Sequence, residues 1–319
     1  MAHTVFAHRD RTERVEAFDP VWLRTGEVIC WVDIDAPTDE DARLLREVFG
    51  FHELAVEDAL TPAHHPKIER YDDFLFLIVH GIDPATGQTR ITTRDVDFFL
   101  APRVLVTVHA GARSVQTVRD WCARTPWALR EGLPTFMHRI VDQMVDDYEP
   151  EVSMLADRID EVEDEALAGA GPDVLRHILD LKRNTAALRR VTLPQRDLIA
   201  RLARHEFVEI DERLAYRFRD VHDHLVRLAD DTVALQDRLT GVLEAYLSSV
   251  STRLSEVMKV LAIIATISIP MTVLTGVYGM NLALPRLPGG ADSQFWWVGA
   301  MMAGIAAAML WYFKRRRWF

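Results

Sequence analysis

Residues 260–280 read VLAIIATISIPMTVLTGVYGM, and this stretch decides the architecture of the whole chain. It holds no charged side chain, although charged residues make up 27% of the sequence. An α-helix rises about 1.5 Å per residue, so a helix of this length spans roughly 30 Å, the thickness of the hydrocarbon core of a bilayer. The stretch therefore predicts a transmembrane helix.

A second uncharged stretch of similar length, FWWVGAMMAGIAAAMLWYF, occupies residues 295–313. Within it Gly299, Ala303 and Ala307 recur at every fourth position, a spacing of small residues that lets membrane helices approach closely. The chain is therefore expected to cross the membrane twice, with residues 282–294 as the connection between the spans.

Basic residues flank the two uncharged stretches. Lys259 precedes the first stretch, and KRRR follows the second at the start of the tail formed by residues 314–319. The connection carries a single basic residue, Arg286. The positive-inside rule therefore places both termini in the cytoplasm and the connection outside.

The helical pattern that enters the first span begins at about Asp211 and continues without a break over residues 211–281. A helix of this length spans about 100 Å, which is too long to stay within one domain. We expect a long stalk helix that leaves a cytoplasmic domain and continues into the membrane as the first span.

Residues 1–132 show the pattern of an α/β domain. Thr38 is placed to cap a helix that ends at Gly50. Runs of apolar and β-branched residues, two of them separated by the turn Ala101–Arg103, predict strands at 28–34, 74–82, 96–100 and 104–109.

Residues 133–210 carry helical patterns and are expected to form a helical hairpin region. Pro150 should kink or split the first helical segment, because proline removes one backbone hydrogen bond. For the same reason we expect an interruption near Pro194 in the helix predicted at 173–204.

The charge of the chain restricts its function. The net charge is −11, and after Met258 the only acidic residue is Asp292, so the acidic charge belongs to the cytoplasmic part. An acidic surface disfavours nucleic acid as a partner and favours cations. The sequence also shows no P-loop, no H-E-x-x-H and no Ser or Cys nucleophile motif, which argues against an enzyme.

Cellular location follows from two further features. The first twenty residues are charged throughout and have no apolar core, so no signal peptide is expected. Cys30 and Cys122 form no C-x-x-C pair and are expected to be free buried thiols in a reducing compartment.

The first span ends in Tyr278-Gly279-Met280-Asn281, and related motifs precede it. YLSSVS at 246–251, EVMKVL at 256–261 and, near the N-terminus, LAVED at 54–58 accompany it. Together these motifs resemble the CorA family of magnesium transporters over nearly the whole chain. The resemblance implies a funnel-shaped homopentamer in the cell inner membrane, with the first spans lining one axial pore and no catalytic cofactor.

The resemblance assigns the selectivity filter to Gly279, Met280 and Asn281. Mg²⁺ dehydrates reluctantly and prefers octahedral oxygen coordination, so a ring of neutral Asn281 amides suits a hydrated ion better than a ring of carboxylates. Helical spacing groups one uncharged stripe along the first span, a pattern equally typical of a lipid-facing or packed apolar surface. The resemblance favours a pore-lining stripe, in which we interpret Met258 and Leu261 as an apolar gate. The stripe comprises Ser255, Met258, Leu261, Ala265, Ile269, Thr272 and Gly276.

The resemblance also implies control by metal bound between neighbouring protomers. The positions that match its two carboxylates are Asp58 and Asp220, and Glu244 matches an acidic ring on the stalk. His224 lies four residues after Asp220, hence on the same helical face, and is a possible additional ligand for a softer ion such as Zn²⁺.

Ion identity stays open at the level of sequence. Residues 284–290 read LPRLPGG, with Arg286 near the place where many members carry an acidic residue, and the following FWW run resembles the zinc-transporting ZntB branch. Transport of Mg²⁺, with Co²⁺ and Ni²⁺, is the primary hypothesis, and Zn²⁺ transport is the alternative. A membrane-anchored scaffold or signalling protein is a third and weaker hypothesis.

Overall fold

The computed structural model describes residues 3–61, 65–83, 90–168, 171–280, 291–316 and 318. The chain forms two compact units, Met1–Leu243 and Glu244–Phe319. The first unit contains the sheet and most of the helices, and the second contains the apolar helical segments.

A sheet of seven strands organises the first unit, in the order β2-β1-β3-β7-β6-β5-β4. All neighbouring strands are antiparallel except β3 and β7, which are parallel, so two antiparallel halves meet at one parallel seam. The strands are β1 (His3–His8), β2 (Thr12–Val15), β3 (Ile29–Asp35), β4 (Lys67–Arg70), β5 (Leu75–Ile82), β6 (Thr93–Leu100) and β7 (Val104–His109).

Nine α-helices occur in the described residues, together with one π-helical turn at Leu44–Val48. They are α1 (Trp22–Thr25), α2 (Asp39–Arg43), α3 (Glu53–Leu60), α4 (Arg113–Arg124), α5 (Leu133–Asp146), α6 (Glu149–Leu167), α7 (Pro172–Ala203), α8 (Glu212–Tyr278) and α9 (Ala291–Arg315).

The central strands are buried because both faces of the sheet are covered. All eight residues of β5 are buried, which confirms the buried strand predicted from its apolar run. On one face Phe51 of the loop before α3 stacks on Phe99 of β6, with 4.6 Å between ring centroids. On the other face Phe136 of α5 packs against Trp31 of β3, at 4.8 Å.

A capping residue and a proline explain where α2 begins and where α5 and α6 are separated. Thr38 forms a capping box with Asp41, which confirms the predicted start of α2. Pro150 lies in the first turn of α6, where its missing N–H costs nothing, so the predicted split falls between Asp146 and Glu149.

The interruption predicted near Pro194 was wrong, because α7 continues through this residue. Val191 and Leu198 on either side of Pro194 are buried in the core. Their packing holds the helical path in spite of the backbone hydrogen bond that Pro194 cannot donate.

A buried polar cluster lies at the carboxyl ends of the parallel strands β3 and β7. Asp33 accepts hydrogen bonds from Thr107 Oγ1 at 2.7 Å, from His109 Nε2 at 3.0 Å and from Arg119 at 3.2 Å. The backbone N–H groups of Gly111 and Ala112 donate to His109 Nδ1, each at 3.1 Å, so the ring hydrogen resides on Nε2. These bonds tie the two strands together.

Candidate ion pore and regulatory carboxylates

The predicted pore stripe lies on an uncovered face of α8. Met258 is 59% exposed, Leu261 60% and Ile269 62%, and the remaining members of the stripe are exposed as well. Large apolar side chains at this exposure are unfavourable in water. Within one protomer the stripe is therefore available to lipid or to other copies of the chain.

A second stripe of α8 is covered. Ile263 is only 6% exposed, and Ile267, Leu274 and Tyr278 are half-buried. These positions lie two residues away from Ala265, Ile269, Thr272 and Gly276, which is about half a helical turn. The covered and the uncovered stripes therefore occupy opposite sides of the helix.

Hydroxyl groups on this segment are turned toward the backbone of the helix. Thr272 Oγ1 donates to the carbonyl of Ser268 at 2.9 Å, and Thr266 Oγ1 donates to that of Ala262 at 2.6 Å. Because the donor is satisfied inside the helix, the oxygen keeps its lone pairs as acceptors. The stripe that contains Thr272 therefore presents an uncharged oxygen that can accept hydrogen bonds.

The helix ends where the predicted filter begins. Gly279 N donates to Thr275 O at 2.8 Å, and a Cβ built on Gly279 would lie only 2.8 Å from that same carbonyl oxygen. Close backbone approach thus requires glycine at this position. The predicted filter residue Asn281 and the neighbouring Arg286 lie outside the described residues.

Asp58, the first predicted regulatory carboxylate, lies on α3 and is paired within the protomer. Its Oδ2 accepts a hydrogen bond from Lys67 Nζ of β4, and the Asp58 side chain is 21% exposed. Lys67 Nζ also lies 3.3 Å from Glu69 Oε2. Burial alone would lower the pKa of Lys67, but the neighbouring Asp58 and Glu69 carboxylates outweigh it and raise that pKa.

Asp97 lies in the sheet beside this pair, and the sequence analysis did not single it out. Lys67 is opposite Ile78 and Ile78 is opposite Asp97, so the three side chains share one face of the sheet. Asp97 is 3% exposed, and its Oδ1 has no hydrogen-bond partner among the described residues. Burial, then the like charges of Asp95 and Asp58, raise the pKa of Asp97 well above its ordinary value.

The other predicted residues lie on α8. Asp220 and Glu244 are exposed. His224 Nδ1 lies 3.8 Å from Asp146 Oδ1 of α5, so the structure brings His224 toward this carboxylate. Burial and the nearby Asp142 raise the pKa of Asp146, and His224 opposes the shift.

Across the described ranges, no group of three His, Cys, Asp or Glu side chains is arranged to hold a metal ion. Within one protomer, Asp58 and Asp220 are therefore not completed into a metal site by described residues. Asp58 belongs to the LAVED motif at 54–58, and Lys67 follows nine residues later. Asp58 lies on α3 and Lys67 on β4, so the tertiary packing of this helix on the sheet brings them together.

Two helices in the described part of the chain, α8 and α9, are long and apolar enough to cross a membrane. In the most apolar window of α8 only 6% of the residues are buried, and in that of α9 none is. A core helix of a soluble protein would have this surface covered. Length, composition and exposure together agree with two membrane spans.

Comparison with known proteins identifies the family. Residues 26–315 match the family described as CorA-like Mg²⁺ transporter protein. The chain is 31% identical to the putative metal ion transporter YfjQ of Bacillus subtilis over 96% of this chain and 93% of that protein. It is 30% identical to the cobalt/magnesium transport protein CorA of Thermotoga maritima over 97% of this chain and 88% of that protein.

A solved structure agrees over the full length. The complete structure of the CorA magnesium transporter from Methanocaldococcus jannaschii superposes with a TM-score of 0.86 and 21% identity, covering 100% of this chain and 99% of that one. The fold class predicted from the sequence is thereby confirmed: an α/β domain, a long helix and two membrane helices. The chain belongs to the CorA-like Mg²⁺ transporter family, whose members move divalent cations across membranes and are not enzymes.

Proposed function

We propose that this protein conducts Mg²⁺, with Co²⁺ and Ni²⁺ as further substrates, across the cell inner membrane through a pore formed by five copies of α8. The observation that carries the proposal is the uncharged stripe of α8, which is uncovered in the protomer and lies opposite the covered one. Two membrane helices cannot enclose a pore alone, so a ring of protomers is needed.

The pore has an apolar and a polar part in this proposal. Met258 and Leu261 form the constriction near the cytoplasm, where five apolar side chains close the path by excluding water. Ala265, Ile269, Thr272 and Gly276 line the rest, and the Thr272 oxygen accepts hydrogen bonds from the water shell of the ion. Glu244 adds an acidic ring below the constriction that concentrates cations.

The outer mouth is formed by Gly279, Met280 and Asn281. Five Asn281 amide oxygens hold the hydrated ion without stripping its water. The close approach of Gly279 to Thr275 O sets the direction in which the chain leaves the helix. The basic residues Lys314 and Arg315 in the last turn of α9 support cytoplasmic termini.

Cytoplasmic metal closes the pore in this proposal by linking Asp58 of one protomer to Asp220 of its neighbour. Two facing carboxylates repel each other, and a dication turns this repulsion into a link. The exposure of Asp220 and the lack of a three-ligand metal group among the described residues of one protomer agree with a site that needs a second copy. Five such links would hold Met258 and Leu261 closed.

Zinc transport remains the second candidate, since His224 is near Asp146 and since Arg286 weakens attraction at the mouth. Flux into proteoliposomes, measured with Mg²⁺, Co²⁺, Ni²⁺ and Zn²⁺ in turn, distinguishes the two. Mg²⁺ flux that Asn281→Ala reduces at least tenfold, in a protein that still runs as a pentamer in detergent, is the expected result. Zn²⁺ flux without Mg²⁺ flux, or normal flux in Asn281→Ala, would overturn the assignment.

A further inference from the structure

The ammonium group of Lys67 occupies the carboxylate to which the regulatory metal is proposed to bind. Lys67 Nζ is hydrogen-bonded to Asp58 Oδ2, and both side chains are partly exposed, 31% for Lys67 and 21% for Asp58. Lys67 Nζ lies over the ring of Phe76 of β5, 5.5 Å from its centroid. Neither group is locked in the core, so the pair can open.

The carboxylate of Glu69 is a second possible partner for the ammonium group of Lys67 once a metal displaces it from Asp58. Glu69 Oε2 lies 3.3 Å from Lys67 Nζ and also accepts a hydrogen bond from the hydroxyl of Tyr71 at 3.1 Å. Glu69 and Lys67 belong to the same strand, so no backbone movement is needed for the exchange. Lysine, a compact charge on a flexible stem, moves between two such partners at low cost.

A dication and an ammonium group cannot share one carboxylate oxygen without strong repulsion. At the separation of a direct contact, like charges in a partly exposed site repel by an energy comparable to that of an ion pair. Binding of the metal at Asp58 must therefore displace Lys67, and the strength of the Asp58–Lys67 pair subtracts from the affinity for the metal.

We propose that Lys67 is a tethered competitor of the regulatory dication and that it sets the cytoplasmic metal concentration at which Asp58 is loaded. The inference rests on the proposed role of Asp58 and assigns a determinant of that site's affinity. Lys67 acts on the metal through Asp58 and does not ligate it. Glu69 lowers the metal concentration that is needed, because it binds the Lys67 ammonium group once this group leaves Asp58.

Two substitutions with opposite expected effects test the proposal. Lys67→Met keeps an unbranched side chain and removes the charge, so the Mg²⁺ concentration for half-inhibition of flux should fall by about fivefold, the factor that one ion pair supplies. Glu69→Gln removes the alternative partner, so the same concentration should rise by about twofold. Arg9→Gln, which removes an exposed cation paired with Glu27, is the matched control and should leave the midpoint unchanged.

The double variant Lys67→Met/Glu69→Gln tests whether Glu69 acts through Lys67 or only through its own charge. If Glu69 acts through Lys67, Glu69→Gln should have no effect once Lys67 is Met. Calorimetric titration of the full-length protein in detergent with Mg²⁺ gives the same comparison without transport. Equal effects of Glu69→Gln in both backgrounds would contradict the exchange of partners.

The failure of this inference is distinguishable from failure of the site itself. If Asp58→Asn leaves inhibition by cytoplasmic Mg²⁺ intact, the proposed regulatory site is wrong and the inference falls with it. If Asp58→Asn abolishes inhibition while Lys67→Met leaves the midpoint unchanged, only the competition is refuted. Should Lys67→Met not assemble, an unchanged midpoint in Glu69→Gln refutes it equally.

Discussion

Two aspartates are buried in the same sheet, and their surroundings are opposite. Asp33 of β3 is 0% exposed and receives hydrogen bonds from Thr107, His109 and Arg119. Asp97 of β6 is 3% exposed, and in the described structure its Oδ1 has no partner. One carboxylate is surrounded by donors, and the other lies beside a second carboxylate, Asp58, and its lysine.

The difference separates two uses of a buried acid. At Asp33 the donors come from β7 and α4, so the charge fastens elements that are distant in sequence. At Asp97 the described residues give Oδ1 no such bond, and burial raises the pKa of the group, which favours its neutral form. We infer that the Asp33 carboxylate has a structural role and that the fold does not depend on the charge of Asp97.

The largest effect is expected from Asp33→Ala. This change leaves His109, Thr107 and the Arg119 charge without their buried acceptor, which should lower the free energy of unfolding by about 3–5 kcal/mol. Thermal unfolding of the full-length protein in detergent measures it. Asp157→Ala, an exposed position of α6, is the control and should change the stability by about 0.5 kcal/mol or less.

Asp97→Asn is expected to change the free energy of unfolding by a smaller amount and in the opposite direction, toward higher stability. Because folding raises the pKa of Asp97, the folded state holds its proton more tightly than the unfolded chain, and stability falls as pH rises above the ordinary value. Asparagine mimics the neutral form and avoids this loss, so Asp97→Asn should stabilise by about 1–2 kcal/mol at pH 7. The gain should disappear below about pH 4, where both states of the wild type are protonated.

A destabilised Asp97→Asn at pH 7, or a gain that is independent of pH, would contradict the contrast between the two regions. The first result would mean that the carboxylate makes a bond on which the fold depends. The second would mean that packing, and not the proton, accounts for the difference.

The smallest effect concerns the two cysteines, which were predicted to be free and buried and are so. Burial raises the pKa of both Cys30 and Cys122 to about 12, so neither is expected to react with a maleimide at pH 7. Cys30 belongs to β3, next to the Asp33 region. Asp33→Ala should therefore speed the labelling of Cys30 and Asp97→Asn should not, and equal rates in both variants would remove the distinction.

Long patterns in the sequence predicted most of the fold. The two spans, the 67-residue α8, the buried β5 and the β6–β7 hairpin are recognisable because each has a continuous pattern of one period. β1 and β2 were not predicted, since these short strands carry several charged or polar residues. β2 is an edge strand, where such residues are allowed, and β1 lies between β2 and β3.

The candidate site was predictable only in part. Helical spacing groups the stripe of α8 and the resemblance selects it as pore-lining; in the structure its residues are uncovered. The Asp58–Lys67 pair depends on how α3 packs beside β4, which no local pattern reveals. Asp97 was not singled out, because its position in a predicted strand does not show that β6 is covered there; in the structure β6 is buried from Val96 to Leu100, Asp97 included.

The parallel seam between β3 and β7 also determines the order in which the sheet can be completed during synthesis. Each antiparallel half closes from neighbours in sequence, whereas Asp33 and Thr107, which touch across the seam, are 74 residues apart. Until β7 has left the ribosome, β3 presents an open edge that another chain can pair with. Closing so long a loop is slow relative to hairpin formation, so the nascent chain is most vulnerable to aggregation in this interval.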